Sequence, residues 1–93
     1  MRLELSLRAQ ADLDAIRDYT VGQFGAAQAI AYLDAIEAAF RRLLAYPMMG
    51  TPALRPDIRA FGCRQHRIYY ALDDERILVV RVLHKAMDVE RWL

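Results

Sequence analysis

This sequence has almost no cysteine. Cys63 is the only one among 93 residues, so the chain cannot form an internal disulfide and has no cysteine-based metal site. No apolar run approaches the length of a membrane span, and the N-terminus lacks the apolar core of a signal peptide. The sequence therefore predicts a cytoplasmic protein, with residues 1–93 forming a single domain.

Lysine is also scarce, since Lys85 is the only one and every other basic side chain is an arginine. The formal net charge is only +1, and the basic residues concentrate between Arg55 and Tyr70, where Asp57 is the single acidic residue. This patch is weaker than the basic stripe typical of a duplex nucleic-acid binder. Because arginine recognises carboxylates as readily as phosphates, the patch fits an acidic partner protein equally well. We expect no direct sequence-specific DNA binding.

Neither a metal nor a cofactor is expected. The two histidines, His66 and His84, lack the spacing of metal ligands and have no cysteine partner. A lone histidine at the end of an apolar strand, as at His84, is typically a structural residue.

Two segments have the 3.6-residue period of amphipathic helices. The first is predicted from about Leu7 to Phe24, behind Ser6 as its N-cap, and the second from about Ala26 to Tyr46, ended by Pro47. Their predicted core stripes are Ala9, Leu13, Ile16, Thr20 and Phe24, and Ala29, Leu33, Ile36, Phe40 and Leu43. Because the link between them is very short, the two helices should form an antiparallel hairpin.

Strands are predicted on either side of this hairpin. The segments are residues 2–6, 58–64, 67–72 and 76–84, with a proline-rich loop at 47–57 and a tail at 85–93. The predicted fold class is α+β in the order β-α-α-β-β-β, with the helical hairpin packed on one face of a small, mostly antiparallel sheet. The tail could form a last helical turn or dock as an arm, and the second face of the sheet should be partly open.

Arg81 lies inside the apolar last strand. Alternation places it on one face with Ile77, Val79 and Leu83, and its charge suggests that this face looks outward. Burying a guanidinium without a partner would be costly. Arg81 therefore either pairs with an acidic side chain, such as Asp73 or Asp74, or contacts a partner molecule.

Several motifs along the chain resemble one protein family in order and spacing. They are Ser6-x-x-Ala9-x-x-Asp12-Leu13-x-x-Ile16, Tyr19, Phe24-Gly25, Ala29-x-x-Tyr32-x-x-x-Ile36, Leu43-x-x-x-Pro47-x-x-Gly50, Arg67-Ile68-x-Tyr70 and Arg81-Val82-Leu83-His84-x-x-Met87-Asp88. Together they resemble the ParE branch of the RelE/ParE toxin superfamily over nearly the whole chain. The resemblance implies the toxin of a type II toxin–antitoxin pair, which inhibits DNA gyrase and is neutralised by a ParD-like ribbon-helix-helix antitoxin in a hetero-oligomer.

Two other functions stay open on this fold. The RelE branch cleaves mRNA on the ribosome, and here Arg64, Arg81 and His84 could supply cations and a proton shuttle. One lysine and a near-neutral charge fit ribosomal RNA poorly, so we expect no catalytic residues. A non-toxic member that only binds its partner is the other alternative.

The residues expected to bind the antitoxin or the target come from the basic segment, the last strand and the tail. They are Arg59, Arg64, Arg67, Tyr70, Arg81, His84, Lys85, Met87, Arg91 and Trp92. For Tyr70 the alternative is core filling, and for the apolar tail residues it is packing back onto the core.

Overall fold

The computed structural model describes all 93 residues. The elements are β1 (Arg2–Leu5), α1 (Leu7–Phe24), α2 (Ala26–Ala45), β2 (Thr51–Pro52), β3 (Arg59–Cys63), β4 (His66–Leu72), β5 (Arg76–His84) and α3 (Val89–Trp92). They form one sheet in the order β1-β5-β4-β3-β2, in which only the β1–β5 pair is parallel. This confirms the predicted α+β class and adds the two-residue β2, while the one-turn α3 is the last helical turn that was one alternative for the tail.

Local chemistry sets the bounds of the helical hairpin. The Ser6 hydroxyl accepts a hydrogen bond from the Ala9 backbone N–H at 3.0 Å, as expected of an N-cap. Gly25 joins the two helices with φ at +89°, a backbone conformation that is strained for residues other than glycine. Phe24 is 66 % exposed, so its predicted place in the core stripe is wrong. Its ring borders an open groove instead of packing into the core.

The main core lies between the hairpin and one face of the sheet. Ile36 and Leu43 of α2 pack there with Ile68, Ile77 and Val79, all of them at most 1 % exposed. The expectation that the face bearing Ile77 and Val79 looks outward is therefore wrong.

A β-bulge explains this error. The β4–β5 register passes from Tyr70 opposite Val79 to Tyr69 opposite Arg81, so Val80 is an extra residue. The extra residue reverses the alternation along β5. Val79 and Val82 face the helices, while Leu83 belongs to a second cluster.

The second cluster covers part of the other face of the sheet. Ile58, Tyr69 and Leu83 form its buried centre, and Met87, Val89 and Leu93 of the tail pack against it. The tail thus folds back onto the sheet, which is one of the two alternatives left open by the sequence.

Tyr70 and Arg59 hold the loop between α2 and β3. The Tyr70 hydroxyl donates to the Pro47 carbonyl at 2.8 Å and accepts from the Gly50 N–H at 3.0 Å. The Arg59 guanidinium donates to the Gly50 and Met48 carbonyls. Because Tyr70 is completely buried, its predicted role in contacting a partner is wrong.

None of the helices is long and apolar enough to cross a bilayer.

Candidate functional site

The candidate site lies around the last residues of β5, where this strand no longer pairs with β1. β1 pairs with β5 only as far as Val79, and Ser6 then turns the chain into α1. The Ser6 hydroxyl donates to the Val80 carbonyl at 2.8 Å. Beyond Val80 the edge of β5 therefore faces α1 rather than another strand.

Asp12 of α1 supplies hydrogen-bond acceptors to this unpaired edge of β5. Its carboxylate accepts the Val82 backbone N–H at 2.9 Å and two guanidinium hydrogen bonds from Arg81, each at 2.8 Å. The Asp12 and Arg81 side chains are only 14 % and 13 % exposed. The hydrogen bond to Asp12 raises the pKa of Arg81 above its ordinary value. The acidic partner of Arg81 is thus Asp12, rather than Asp73 or Asp74.

Arg81 also reaches the tail. Its third guanidinium nitrogen, Nη1, donates to the Trp92 carbonyl at 2.6 Å. One side chain therefore ties α1, β5 and α3 together.

A groove of about 610 Å³ opens beside this ion pair, between the helical hairpin and the ends of β4 and β5. Its lining residues are Asp12, Ala15, Ile16, Tyr19, Thr20, Phe24, Gln28, Tyr32, Gln65, His66, Val82, Leu83, His84 and Met87. Eight of these fourteen residues are hydrophobic and none is lysine or arginine. The groove therefore suits an apolar segment of a partner better than a polyanion.

The tip of the hairpin extends the apolar surface of the groove. Tyr19 and Phe24 are both 66 % exposed. No charged residue occurs between Tyr19 and Leu33. Large apolar side chains clustered in an uncharged surface mark a site of protein–protein contact.

Two histidines meet at the strand end of the groove. His66 and His84 are opposite each other in the β4–β5 register, and their rings pack edge to face with centroids 5.3 Å apart. Tyr32 of α2 packs on His66 from the other side at 5.5 Å. Burial and the neighbouring His84 lower the pKa of His66, and Asp12 partly opposes this effect.

Tyr32 links the histidines to the β3–β4 turn. Its hydroxyl lies 2.6 Å from His66 Nδ1 and accepts the Gln65 backbone N–H at 3.1 Å. Burial raises the pKa of Tyr32, and the hydrogen bond from Gln65 opposes that rise. The phenol therefore stays protonated near pH 7 and shares a hydrogen bond with His66.

Part of the predicted basic set lies beside this end of the sheet. Arg64 occupies the tight β3–β4 turn with φ at +55°, and Arg67 follows it on β4. The Lys85 N–H donates to the Gln65 carbonyl, and the Lys85 side chain lies beside Gly62. Arg64, Arg67 and Lys85 are all exposed and form no ion pair.

Other members of the predicted set are elsewhere. Arg59 is half-buried and bonded to the loop, while exposed Arg91 lies over the Trp92 ring at 5.9 Å. Met87 lines the groove and Trp92 is 44 % exposed. Of the candidate RNase residues, Arg81 is fixed under α1, whereas Arg64 and His84 are exposed.

No group of three histidine, cysteine, aspartate or glutamate side chains is arranged to hold a metal ion.

Residues of the helical hairpin were missing from the predicted set. Tyr19, Phe24, Gln28 and Tyr32 form one wall of the groove. The signal that could have identified them is the uncharged run from Tyr19 to Leu33, in a chain with 27 % charged residues.

Known proteins match this chain over almost its whole length. A family model described as the ParE toxin of the type II toxin–antitoxin system parDE matches residues 3–89. The chain is 39 % identical to Toxin ParE1 of Mycobacterium tuberculosis strain H37Rv over 95 aligned positions, covering 99 % of this chain and 97 % of the relative. It is 34 % identical to Toxin ParE1 of Caulobacter vibrioides, covering 96 % of this chain and 94 % of that protein.

A solved structure has the same fold. A chain from the chromosomal ParDE toxin–antitoxin system of P. aeruginosa superposes with a TM-score of 0.81 at 25 % identity, covering 90 % of this chain and 95 % of that one.

Proposed function

Because this chain belongs to the ParE toxin family of type II toxin–antitoxin systems, we propose that it inhibits DNA gyrase and is neutralised by a ParD-like antitoxin. The antitoxin would carry a ribbon-helix-helix DNA-binding domain and a flexible arm that folds on the toxin. The match of the family model and the curated toxins along nearly the whole chain is the observation that carries this proposal.

The groove is the proposed seat of the antitoxin arm. It is mostly apolar, has no lysine or arginine in its lining, and adjoins the exposed Tyr19 and Phe24. An arm that buried these rings would gain roughly 25 cal/mol for each Å² of apolar surface removed from water. The P. aeruginosa neighbour comes from a ParDE system, which supports a ParD-like partner here.

Gyrase would be contacted by the exposed cations and by the tail. Arg64, Arg67 and Lys85 have no acidic partner within the chain, and Arg91 and Trp92 are exposed on α3. Arginine and tryptophan are the residue types that dominate protein interfaces. Such a surface can bind a protein without any catalytic group, and we propose that the toxin acts in this way in the cytoplasm.

The fixed position of Arg81 supports a role without catalysis. Its guanidinium is bonded to Asp12 and to the Trp92 carbonyl, so it is not free to stabilise a transition-state phosphate. Arg81 is therefore proposed to shape the partner-binding surface rather than to act on RNA.

A supercoiling assay with purified gyrase tests the proposal. We expect the chain alone to reduce supercoiling and to accumulate cleaved DNA, and stoichiometric antitoxin to restore activity. Trp92→Ala with Arg91→Ala should weaken inhibition, whereas Arg41→Gln, an exposed change on α2, should leave it unchanged. Normal supercoiling in the presence of excess toxin would contradict the proposal.

A further inference from the structure

We propose that the Nε2–H groups of His66 and His84 form a binding site for a carboxylate of the antitoxin arm at the strand end of the groove. This inference rests on the proposed function, because it assigns the arm to the groove and names the chemistry that fixes its register there.

The hydrogen bonds around the rings determine which nitrogens are free. The Tyr32 hydroxyl accepts the Gln65 N–H, and His66 Nδ1, 2.6 Å away, is the only acceptor available to its proton, so we assign that proton to the bond with Nδ1. The Ala86 backbone N–H donates to His84 Nδ1 at 3.0 Å. When Nδ1 of a neutral imidazole is the acceptor, the ring proton is on Nε2.

Neither Nε2–H donates to another group of the chain. Each ring makes its only side-chain hydrogen bond through Nδ1. His84 is exposed, and no buried side-chain nitrogen or oxygen in less exposed residues such as His66 lacks a partner, so both donors are open to the groove or to solvent. Two adjacent imidazoles therefore present two unused donors beside an apolar groove.

A carboxylate matches this pair better than other acceptors do. Its two oxygens can accept from two donors, and its charge can stabilise a proton added to the His66 ring. The titratable groups facing His66 are Asp12 from α1, Tyr32 from α2 and His84 from β5. Arg81 already neutralises Asp12, so an incoming carboxylate meets no uncompensated negative charge.

The surroundings favour a peptide over a nucleic acid. A phosphodiester chain needs several cations along its path. The groove lining has no lysine or arginine, and its walls are aromatic and aliphatic. A mostly apolar peptide with one aspartate or glutamate complements both the walls and the histidine pair.

Such a contact links binding to protonation. A bound carboxylate raises the pKa of His66 above that of the free toxin, so binding takes up protons. Affinity should therefore increase as the pH falls through the bound-state pKa and level off below the free-state pKa. A rise of one pKa unit corresponds to about tenfold in affinity.

Calorimetric titration at pH 8 and pH 6 tests the site, with the protein encoded in the adjoining reading frame as the antitoxin. His84 is exposed, so His84→Phe should fold and remove one donor, whereas His66→Gln keeps an amide donor that cannot gain a proton. We expect wild-type affinity to rise about tenfold between pH 8 and pH 6. His66→Gln should lose much of that rise, and His84→Phe should bind about tenfold more weakly at pH 6.

Three results would overturn the assignment, and each has a different meaning. If the wild type binds the antitoxin and His84→Phe binds equally well at both pH values, the site is wrong while the proposed partner stands. If the wild type does not bind, both the site and the proposed partner fail. If a 12-nucleotide single-stranded RNA binds the wild type tightly and His84→Phe abolishes that binding, the pair is a phosphate site. Arg41→Gln is the control for a surface change outside the groove.

Discussion

The Asp12 carboxylate on α1 holds the Arg81 guanidinium on β5 through two hydrogen bonds of 2.8 Å while accepting the Val82 N–H at 2.9 Å. The Asp12 side chain thus accepts a backbone hydrogen bond at the edge of β5 where β1 no longer pairs with it. The same arginine holds the Trp92 carbonyl, so the pair connects the groove wall to the tail.

Breaking this pair should cost far more than breaking a surface pair. Asp12→Ala leaves a nearly buried guanidinium without its carboxylate and the Val82 N–H without a partner, and we expect a loss of about 3 kcal/mol in the free energy of unfolding. Arg81→Ala should cost a similar amount, and the double variant less than the sum. Urea unfolding provides the measurement. The control is Arg17→Ala, which breaks exposed contacts with Asp14 and Asp18 and should cost less than about 1 kcal/mol.

Substitution by alanine should destabilise the protein at Gly50 but not at Gly62. A Cβ at Gly50 would lie 2.5 Å from the Tyr70 hydroxyl and 2.9 Å from the Ala60 carbonyl, so Gly50→Ala must displace the loop. We expect it to lower the thermal midpoint and to destabilise the protein by about 2 kcal/mol. Gly62→Ala is the matched change, because its Cβ would meet nothing closer than 3.9 Å. Equal midpoints for the two variants would contradict this packing.

His66 should make the stability of the toxin depend on pH. Its pKa is lowered in the folded protein, mainly by burial, so the unfolded chain binds more protons below about pH 6.5. Stability should therefore be fully present above that pH and decrease as the pH falls below it. Urea unfolding of the wild type and of His66→Gln between pH 5 and pH 8 measures the effect. A wild-type curve no steeper than that of the variant would show that His66 is not responsible.

Phe24 should matter for binding but not for folding. Because it is 66 % exposed and lines the groove, Phe24→Asp should change the free energy of unfolding by less than about 0.5 kcal/mol. We expect antitoxin affinity to fall at least tenfold, since a large apolar contact is lost and a carboxylate faces an apolar arm. Met48→Asp alters an equally exposed residue outside the groove and should bind normally. Binding is measured by calorimetric titration.

Local patterns were enough to predict the helices and the last strand. The observed bounds of α1 and β5 are the predicted ones, because periodicity and the Ser6 cap act over a few residues. The two-residue β2 contains Pro52 and carries no strand pattern of its own. It exists because it pairs with β3, which local sequence cannot reveal.

The errors come from features that depend on distant residues. Strict alternation placed Val79 and Arg81 on one face, whereas the bulge at Val80 separates them. The sequence alone allows Tyr70 to be a surface or a core residue. Its burial depends on the Pro47 carbonyl and the Gly50 N–H, which hydrogen-bond its hydroxyl only in the folded protein.

The candidate site was predicted only in part for the same reason. His84, Met87 and the basic residues lie in the expected region, but the groove also needs Tyr19 and Tyr32 from the hairpin. These walls are more than 30 residues away from the strand end, and only the packing of the helical hairpin beside the sheet brings them together. The pairing of Arg81 with Asp12 spans 69 residues and has no signature in either segment alone.

A pulse-labelling time course distinguishes gyrase inhibition from mRNA cleavage. The chain is induced alone in bacteria, and DNA and protein synthesis are followed separately from the first minutes. If the chain inhibits gyrase, DNA synthesis falls first, with a DNA-damage response, while protein synthesis continues. An earlier fall in protein synthesis would contradict it in favour of mRNA cleavage, and unchanged synthesis of both would contradict the toxin function itself.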